Sequence, residues 1–118
     1  MPLAAAGETT VMNSLLTGRY LSLHTAFPPS GEVTGGGYER MPVTFAPTSS
    51  PDPTVYKNAA LVQFDAATTS WGIIQYFGIW DALTGGSLLA YNAVSVAKPV
   101  EIDDVARWDI GTLVVDTD

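Results

Sequence analysis

The sequence of 118 residues contains no cysteine and few charged residues. Without cysteine, the chain can form neither a disulfide nor a thiolate metal site, so its stability must come from packing or from assembly. Charged residues make up 14% of the chain, whereas about 25% is typical of a globular domain. So neutral a surface is typical of a subunit that lies against other subunits, because a charge buried at an interface needs a partner.

Basic residues are especially scarce. Five Lys and Arg stand singly along the chain against 12 Asp and Glu, which gives a net charge of −7. Nucleic-acid binding is not expected, because it requires clustered cations that displace counterions from phosphate. No apolar run approaches the roughly 20 residues of a membrane span, and residues 1–7 lack the basic start of a signal peptide. We therefore expect a protein that is made in the cytoplasm and has no membrane partner.

Residues that commonly carry catalysis are also scarce. The only histidine is His24, within Tyr20–Thr25, where apolar and polar side chains alternate as in a half-buried strand. This alternation predicts that His24 lies on the polar face as a surface or interface residue. No Gly-x-Ser-x-Gly motif accompanies it, so a Ser-His-carboxylate triad is not expected. The sequence predicts no catalytic residue and no enzyme activity.

A glycosidase is the enzyme class that the sequence leaves open. Such an enzyme needs two opposed carboxylates in a cleft that is lined with aromatic rings. Asp65, Asp81 and Glu101 could supply the carboxylates. Trp71 and Trp80 could supply the rings. The spacing of these residues matches no particular motif, and packing in the core is the alternative that we favour for the two tryptophans.

Two further segments resemble ligand sites without meeting their requirements. Gly35–Gly37 has the composition of a phosphate-binding loop, but it leads into a predicted strand where such a loop requires a helix. Acidic residues near the C-terminus suggest calcium, yet Val105 and Ala106 stand where a calcium loop usually turns on glycine. These acidic residues are Glu101, Asp103, Asp104, Asp109, Asp116 and Asp118. A solvated connection between strands is the alternative, and we predict no metal and no cofactor.

Length and pattern indicate a single domain over residues 1–118. Residues 1–18 are a predicted N-terminal arm with one short helix, since apolar residues recur there at helical spacing and Gly18 suits the position after a helix. Segments 27–38 and 47–53 are rich in proline with glycine or serine, which predicts loops. The rest of the chain predicts short strands at 20–25, 41–46, 55–64, 71–81, 87–94, 100–102, 105–110 and 112–115.

Short strands separated by frequent turns predict an all-β fold, a single β-sandwich or jelly-roll-like domain with one short N-terminal helix. Its most apolar part is a predicted hairpin at the centre of a sheet, with a turn at Thr84–Gly86. Gly78 lies inside the first strand of this hairpin. A glycine there predicts a bulge or a close approach of the backbone, with Phe77 and Ile79 in the core.

Four segments together resemble a family of small structural proteins of tailed bacteriophages, whose members are described as tail fibre, minor tail or virion decoration proteins. The segments are Leu21–Ala26, Gly37–Arg40, Val43–Phe45 and Trp71–Leu89. The resemblance covers residues 11 to 118. It implies a non-enzymatic, β-rich component of the virion, often trimeric, that is assembled in the cytoplasm of the bacterial host.

Because the chain is short, we expect a head decoration or cement protein that forms a homotrimer and binds the phage major capsid protein or other virion proteins. The predicted interface residues are Val11, Met12, Leu15, Leu16, Phe27, Val33 and Tyr38. The alternative is a tail fibre or minor tail component that binds glycans on the host surface through exposed aromatic rings. The predicted glycan-contact residues are Tyr56, Trp80 and Trp108.

Overall fold

A computed structural model of the protein describes residues 18–47 and 55–116. The described residues form nine strands and no helix, and none of them could cross a bilayer as a helix. The strands are β1 Arg19–His24, β2 Met41–Val43, β3 Phe45–Pro47, β4 Val55–Asn58, β5 Val62–Gln63, β6 Gly72–Trp80, β7 Leu88–Val100, β8 Arg107–Trp108 and β9 Val114–Asp116. The predicted all-β class is confirmed.

The strands pair antiparallel in three sheets. The largest sheet has the order β2-β1-β6-β7, a second has the order β3-β4-β9, and β5 pairs with β8. The predicted β-sandwich or jelly-roll arrangement of these sheets stays a prediction. The predicted N-terminal helix, and all but the first residue of the predicted loop at 47–53, lie outside the described residues.

The predicted central hairpin is present. Strand β6 pairs with β7 on one side and with β1 on the other, so it lies inside the four-stranded sheet. The register between β6 and β7 shifts between Ile74 and Tyr76 and resumes with Ile74 opposite Lys98. Because pairing resumes there, β7 continues to Val100, beyond the strand predicted at 87–94. The segment predicted as one strand at 41–46 forms two, β2 and β3, which pair in different sheets.

One hydrophobic core joins the three sheets. The rings of Phe45 on β3 and Phe77 on β6 stack with centroids 6.2 Å apart, and the ring of Phe64 meets that of Trp108 on β8 edge to face at 6.1 Å. Burying a side chain of this size stabilises the fold by about 1.5–3 kcal/mol. The largest fully buried residues are Tyr56, Phe45, Phe64, Phe77, Leu21, Leu23, Ile74, Ile79, Leu113, His24 and Asn58.

The outer face of the four-stranded sheet is covered as well. Leu21 and Leu23 of β1 point into the core, while Ser22 and His24 lie on the opposite face and are equally buried. The segment 25–40 covers them: the Val33 N–H donates to the Leu23 carbonyl at 3.0 Å. We call this segment the covering loop. The surface position predicted for His24 is therefore wrong, because alternation identifies the polar face of a strand but not whether a loop lies over it.

Gly78 is where the covered face is most tightly packed. A Cβ atom at this position would lie 2.6 Å from Ser22 Oγ, 2.9 Å from Leu88 Cδ1 and 3.1 Å from His24 Nε2. The predicted close approach is confirmed, although side chains of the neighbouring strands make it rather than backbone. Only a residue without a side chain leaves room for the polar groups above β6.

Candidate functional site

A hydrogen-bonded network of polar side chains lies between the four-stranded sheet and the covering loop. It runs from the turn between β6 and β7 to the far end of β1. We call it the covered network. Its members are Ser22, His24, Glu32, Tyr38, Arg40 and Trp80.

Arg40 is the centre of the covered network. Its Nε lies 2.8 Å from Glu32 Oε2 and its Nη2 lies 2.9 Å from Glu32 Oε1, so the ion pair is bidentate. Nη1 donates to the carbonyl oxygens of Ala82 at 2.9 Å and Gly85 at 2.8 Å. The guanidinium also lies over the Trp80 ring, 3.9 Å from its centroid. One buried side chain thereby joins the covering loop to the β6–β7 turn.

Tyr38 completes the surroundings of the Glu32 carboxylate. Its hydroxyl donates to Glu32 Oε2 at 2.8 Å and accepts from the Leu23 N–H at 3.1 Å. Burial raises the pKa of the Tyr38 hydroxyl. Burial alone would also raise the pKa of Glu32, but the hydrogen bonds from Arg40 and Tyr38 outweigh it and hold that pKa below its usual value. Glu32 is therefore ionised in the folded protein.

Ser22 and His24 form the other arm of the network. Trp80 Nε1 donates to Ser22 Oγ at 2.7 Å, and Ser22 Oγ lies 2.6 Å from His24 Nε2. His24 Nδ1 lies 2.9 Å from the Ser30 carbonyl oxygen. Because that carbonyl can only accept, Nδ1 carries the proton, and Nε2 accepts from the Ser22 hydroxyl. Burial is the main reason that the pKa of His24 is lowered, so the imidazole is neutral.

The Ser22–His24 contact resembles the nucleophile and base of a hydrolase, and sequence reasoning missed it. Two residues at positions i and i+2 of a strand share a face, and this spacing was the available signal. Neither side chain has exposed surface, so a substrate carbonyl has no path to Ser22 Oγ. The group that orients the imidazole is the Ser30 carbonyl, where a triad has a carboxylate. His24 instead holds the covering loop on the sheet, through its Nδ1 hydrogen bond to the Ser30 carbonyl.

An open cleft of about 410 Å³ lies above the Arg40–Glu32 pair, between the covering loop and the β6–β7 turn. The donors of Arg40 that face Glu32, Ala82 and Gly85 are already engaged. The guanidinium is therefore committed to the fold rather than presented to a ligand. The lining residues are Glu32, Val33, Thr34, Gly35, Tyr38, Glu39, Arg40, Leu83, Thr84 and Gly85.

Three aromatic rings meet on the surface beside the covered network. The Phe27 ring contacts those of Tyr76 and Tyr91 edge to face, with centroids 5.5 Å and 5.2 Å apart and interplanar angles of 66° and 70°. Phe27 is 58% exposed and Tyr91 is 46% exposed. We call these residues the Phe27 cluster. It is the exposed aromatic surface that the described residues provide.

The aromatic residues that the sequence assigned to glycan contact are not exposed in the structure. Tyr56 and Trp108 are core residues, so their predicted surface role is corrected. Trp80 is half-buried beneath Arg40. The aromatic residues that are exposed instead are Phe27 and Tyr91 of the Phe27 cluster. Of these, sequence reasoning had selected only Phe27, as an interface residue.

The other predicted interface residues have different positions. Phe27 is exposed, whereas Val33 retains 7% exposure within the core and Tyr38 is part of the covered network. The interface roles of these residues stay predictions. Outside the described residues lie Val11, Met12, Leu15 and Leu16.

Two of the acidic residues that suggested calcium or a glycosidase accept hydrogen bonds from backbone N–H groups of turns. Asp104 Oδ2 accepts from the Glu101 N–H at 2.9 Å, and Asp81 Oδ1 accepts from the Ser87 N–H at 2.8 Å. Within residues 18–47 and 55–116, no three His, Asp or Glu residues are grouped so that they could hold a metal ion.

Comparison with known protein families identifies a family that this sequence matches. The sequence matches the family described as Podophage GP4 fiber I protein gp80 over residues 5–116. The match therefore extends over nearly the whole chain. No curated protein matches the sequence.

The covered network predicts the effect of replacing Glu32. In Glu32→Gln the Arg40 guanidinium, whose side chain is 8% exposed, stays buried and loses its counter-charge. We expect the free energy of unfolding to fall by about 2–3 kcal/mol, the cost of leaving a buried charged donor without its ionised partner, measured by urea denaturation at neutral pH. Asp109→Asn is the matched control, because it breaks an Arg–carboxylate pair with Arg107 that is exposed and should cost less than about 0.5 kcal/mol. Equal losses in the two variants would contradict the central role of Arg40.

The buried imidazole predicts a pH dependence of stability. Since the folded state lowers the pKa of His24 from its ordinary 6.5, the unfolded chain binds more protons as the pH falls below that value. The stabilisation is complete above pH 6.5 and is lost as the pH falls toward the lower pKa of the folded state.

We therefore expect the free energy of unfolding to decrease between about pH 7 and 5.5, before most carboxylates titrate. The chain has one histidine, so His24→Asn should remove this slope. The amide nitrogen of the asparagine can replace His24 Nδ1 as the donor to the Ser30 carbonyl. A wild-type stability that stays constant over this range would contradict the burial of a neutral imidazole.

Proposed function

The chain belongs to the Podophage GP4 fiber I protein gp80 family, a family of phage fibre-like structural proteins, and from this premise we propose that it is a structural subunit of a phage tail fibre. The match over residues 5–116 is the observation that carries the proposal. The word "fiber" in the family description supports the tail fibre alternative over capsid decoration.

The composition and the fold are consistent with a structural subunit. A chain with few charges can contact other proteins over much of its surface without leaving charges unpaired. The Arg40 guanidinium is bound to the Glu32 carboxylate and to two backbone carbonyl oxygens, and Glu32 also accepts from the Tyr38 hydroxyl. This pairing supports a role in which the network fixes the shape of the subunit.

Capsid decoration is the competing proposal. The homotrimer expected from the resemblance is compatible with a fibre subunit and with a decoration protein. The family description favours the fibre. The two proposals differ in stoichiometry, because a fibre is attached at the tail whereas a cement protein repeats over the whole shell.

The number of copies per particle is therefore the first test. We expect a few to a few tens of copies for a fibre subunit, as the symmetry of a tail dictates. Quantitative mass spectrometry of purified particles, with the major capsid protein as internal standard, measures this number. Hundreds of copies would reject the fibre assignment and support decoration.

The Phe27 cluster is the surface that we propose for contact with host glycans. The apolar face of a sugar ring packs on aromatic rings, and two of the three rings are substantially exposed. The contacts of Phe27 with Tyr76 and Tyr91 hold the rings in place before a ligand arrives, which lowers the entropic cost of binding.

Replacing Phe27 tests this surface. Phe27→Ala should weaken binding to purified surface polysaccharide of the host bacterium about tenfold, since an aromatic contact contributes about 0.5–1.5 kcal/mol beyond its buried area. Ile110→Ala is the matched control, because Ile110 is 68% exposed and lies outside the cluster. Titration calorimetry measures both affinities. Equal affinities for Phe27→Ala and wild type, or no binding by wild type, would contradict the glycan role while leaving the fibre assignment to the copy number.

A further inference from the structure

The Phe27 cluster lies on an uncharged part of the molecule. Its rings come from the covering loop, from β6 and from β7. The stretches 20–31, 66–80 and 82–97, which carry these rings, contain no Asp, Glu, Lys or Arg. The histidine within them, His24, is buried and neutral. The segments that form the cluster therefore place no charged side chain beside it.

Strands β6 and β7 set two of the rings on one face of the sheet. Tyr91 lies opposite Gly78, and Ala93 lies opposite Tyr76. Since side chains two residues apart on a strand share a face, Tyr76, Tyr91 and Ala93 are all on the outer face. Ala93 is exposed, and its side chain is a single methyl group. The surface next to the rings is thus neutral and low.

Lys98 is the basic residue closest to the cluster along β7, and its charge lies at β8. The Lys98 Nζ is 4.5 Å from the centroid of the Trp108 ring and donates to the Arg107 carbonyl oxygen. Arg107 in turn is paired with Asp109 at 3.0 Å. Both cations are therefore engaged at β8 and not at the rings of the cluster.

The other three basic residues also lie away from the cluster. Arg40 is bound to a carboxylate and to backbone carbonyls beneath the covering loop. Lys57 is on β4, in a different sheet. Arg19 begins β1, whereas the cluster adjoins the other end of that strand, where His24 lies opposite Tyr76. Proteins hold carboxylates and phosphates chiefly with Arg and Lys, so the cluster lacks the groups that an anionic sugar requires.

The cluster does provide neutral hydrogen-bonding groups. Among the hydrogen bonds of the described residues, none uses the hydroxyl of Tyr76 or of Tyr91. A phenol hydroxyl can both donate and accept, as a sugar hydroxyl can. The rings thus combine apolar faces for the C–H groups of a sugar with uncharged polar groups for its hydroxyls.

The charge of the whole chain acts in the same direction. A net charge of −7 repels a polyanion, and no basic side chain at the cluster offsets this repulsion. We infer that the Phe27 cluster binds uncharged sugar residues and discriminates against sugars that carry carboxylate or phosphate groups. This inference rests on the proposed contact with host glycans and names the ligand class of that surface.

Binding to two fractions of the host polysaccharide tests the ligand class. Anion exchange separates the purified surface polysaccharide into an uncharged and an acidic fraction, and each is titrated against the full chain by calorimetry. We expect the uncharged fraction to bind at least about tenfold more tightly, because the acidic one meets repulsion without a cation. Acidic sugar that binds as tightly as uncharged sugar would overturn the ligand class and leave the glycan role standing. Binding of neither fraction would overturn the glycan role, and the inference with it.

Substitution of Ala93 changes the charge beside the rings without altering the rings. Ala93→Gln, Ala93→Glu and Ala93→Lys introduce side chains of similar length and different charge. Their dissociation constants for the uncharged fraction should agree within about twofold, since an uncharged ligand has no Coulomb interaction with them. For the acidic fraction, Ala93→Lys should bind about fivefold more tightly than Ala93→Gln, as one exposed ion pair allows.

Ile110→Lys is the matched control for the added cation. Ile110 is 68% exposed and lies outside the cluster, so this variant should not gain affinity for the acidic fraction. An equal gain in Ile110→Lys and Ala93→Lys would overturn the inference, because the discrimination would then come from the net charge alone. Weakened binding of the uncharged fraction in Ala93→Glu but not in Ala93→Gln would overturn it as well, because it would show that the ligand carries charge.

Discussion

A buried guanidinium must be fully paired, and this requirement organises the outer face of the sheet. Arg40 meets it with the Glu32 carboxylate, two carbonyl oxygens of the β6–β7 turn and the Trp80 ring. These partners come from two separate parts of the chain, the covering loop and residues 80–85. Because leaving a buried charge unpaired is far more costly than holding a loop in place, the pairing fixes the loop.

The arm of the covered network formed by Ser22 and His24 extends these contacts along β1. Trp80 connects Arg40 to Ser22 and His24, and His24 connects in turn to the Ser30 carbonyl. The covering loop is thereby attached at both ends, and Phe27 is placed against Tyr76 and Tyr91. An ordered aromatic surface outside the sheet depends on polar groups buried beneath the loop.

The sequence predicted what depends on local pattern. The hairpin around 71–91 and the close packing at Gly78 follow from alternation and from the position of one glycine. The burial of His24 and Tyr56 could not be predicted in this way, because it depends on which distant segment covers each face. The division at Thr44 between β2 and β3 has the same origin, since the two strands join sheets whose partners are far apart in sequence.

Ser22, His24 and Gly78 share one confined volume above β6, since an atom added to Gly78 would meet both neighbours within 3.1 Å. Changes at contacting positions of this kind are not independent. During evolution of the family, an enlargement at any one of the three positions requires a compensating reduction at another. Substitutions at the three positions should therefore be correlated. A homologue that carries alanine at the position of Gly78 should carry a smaller side chain at the position of Ser22 or of His24.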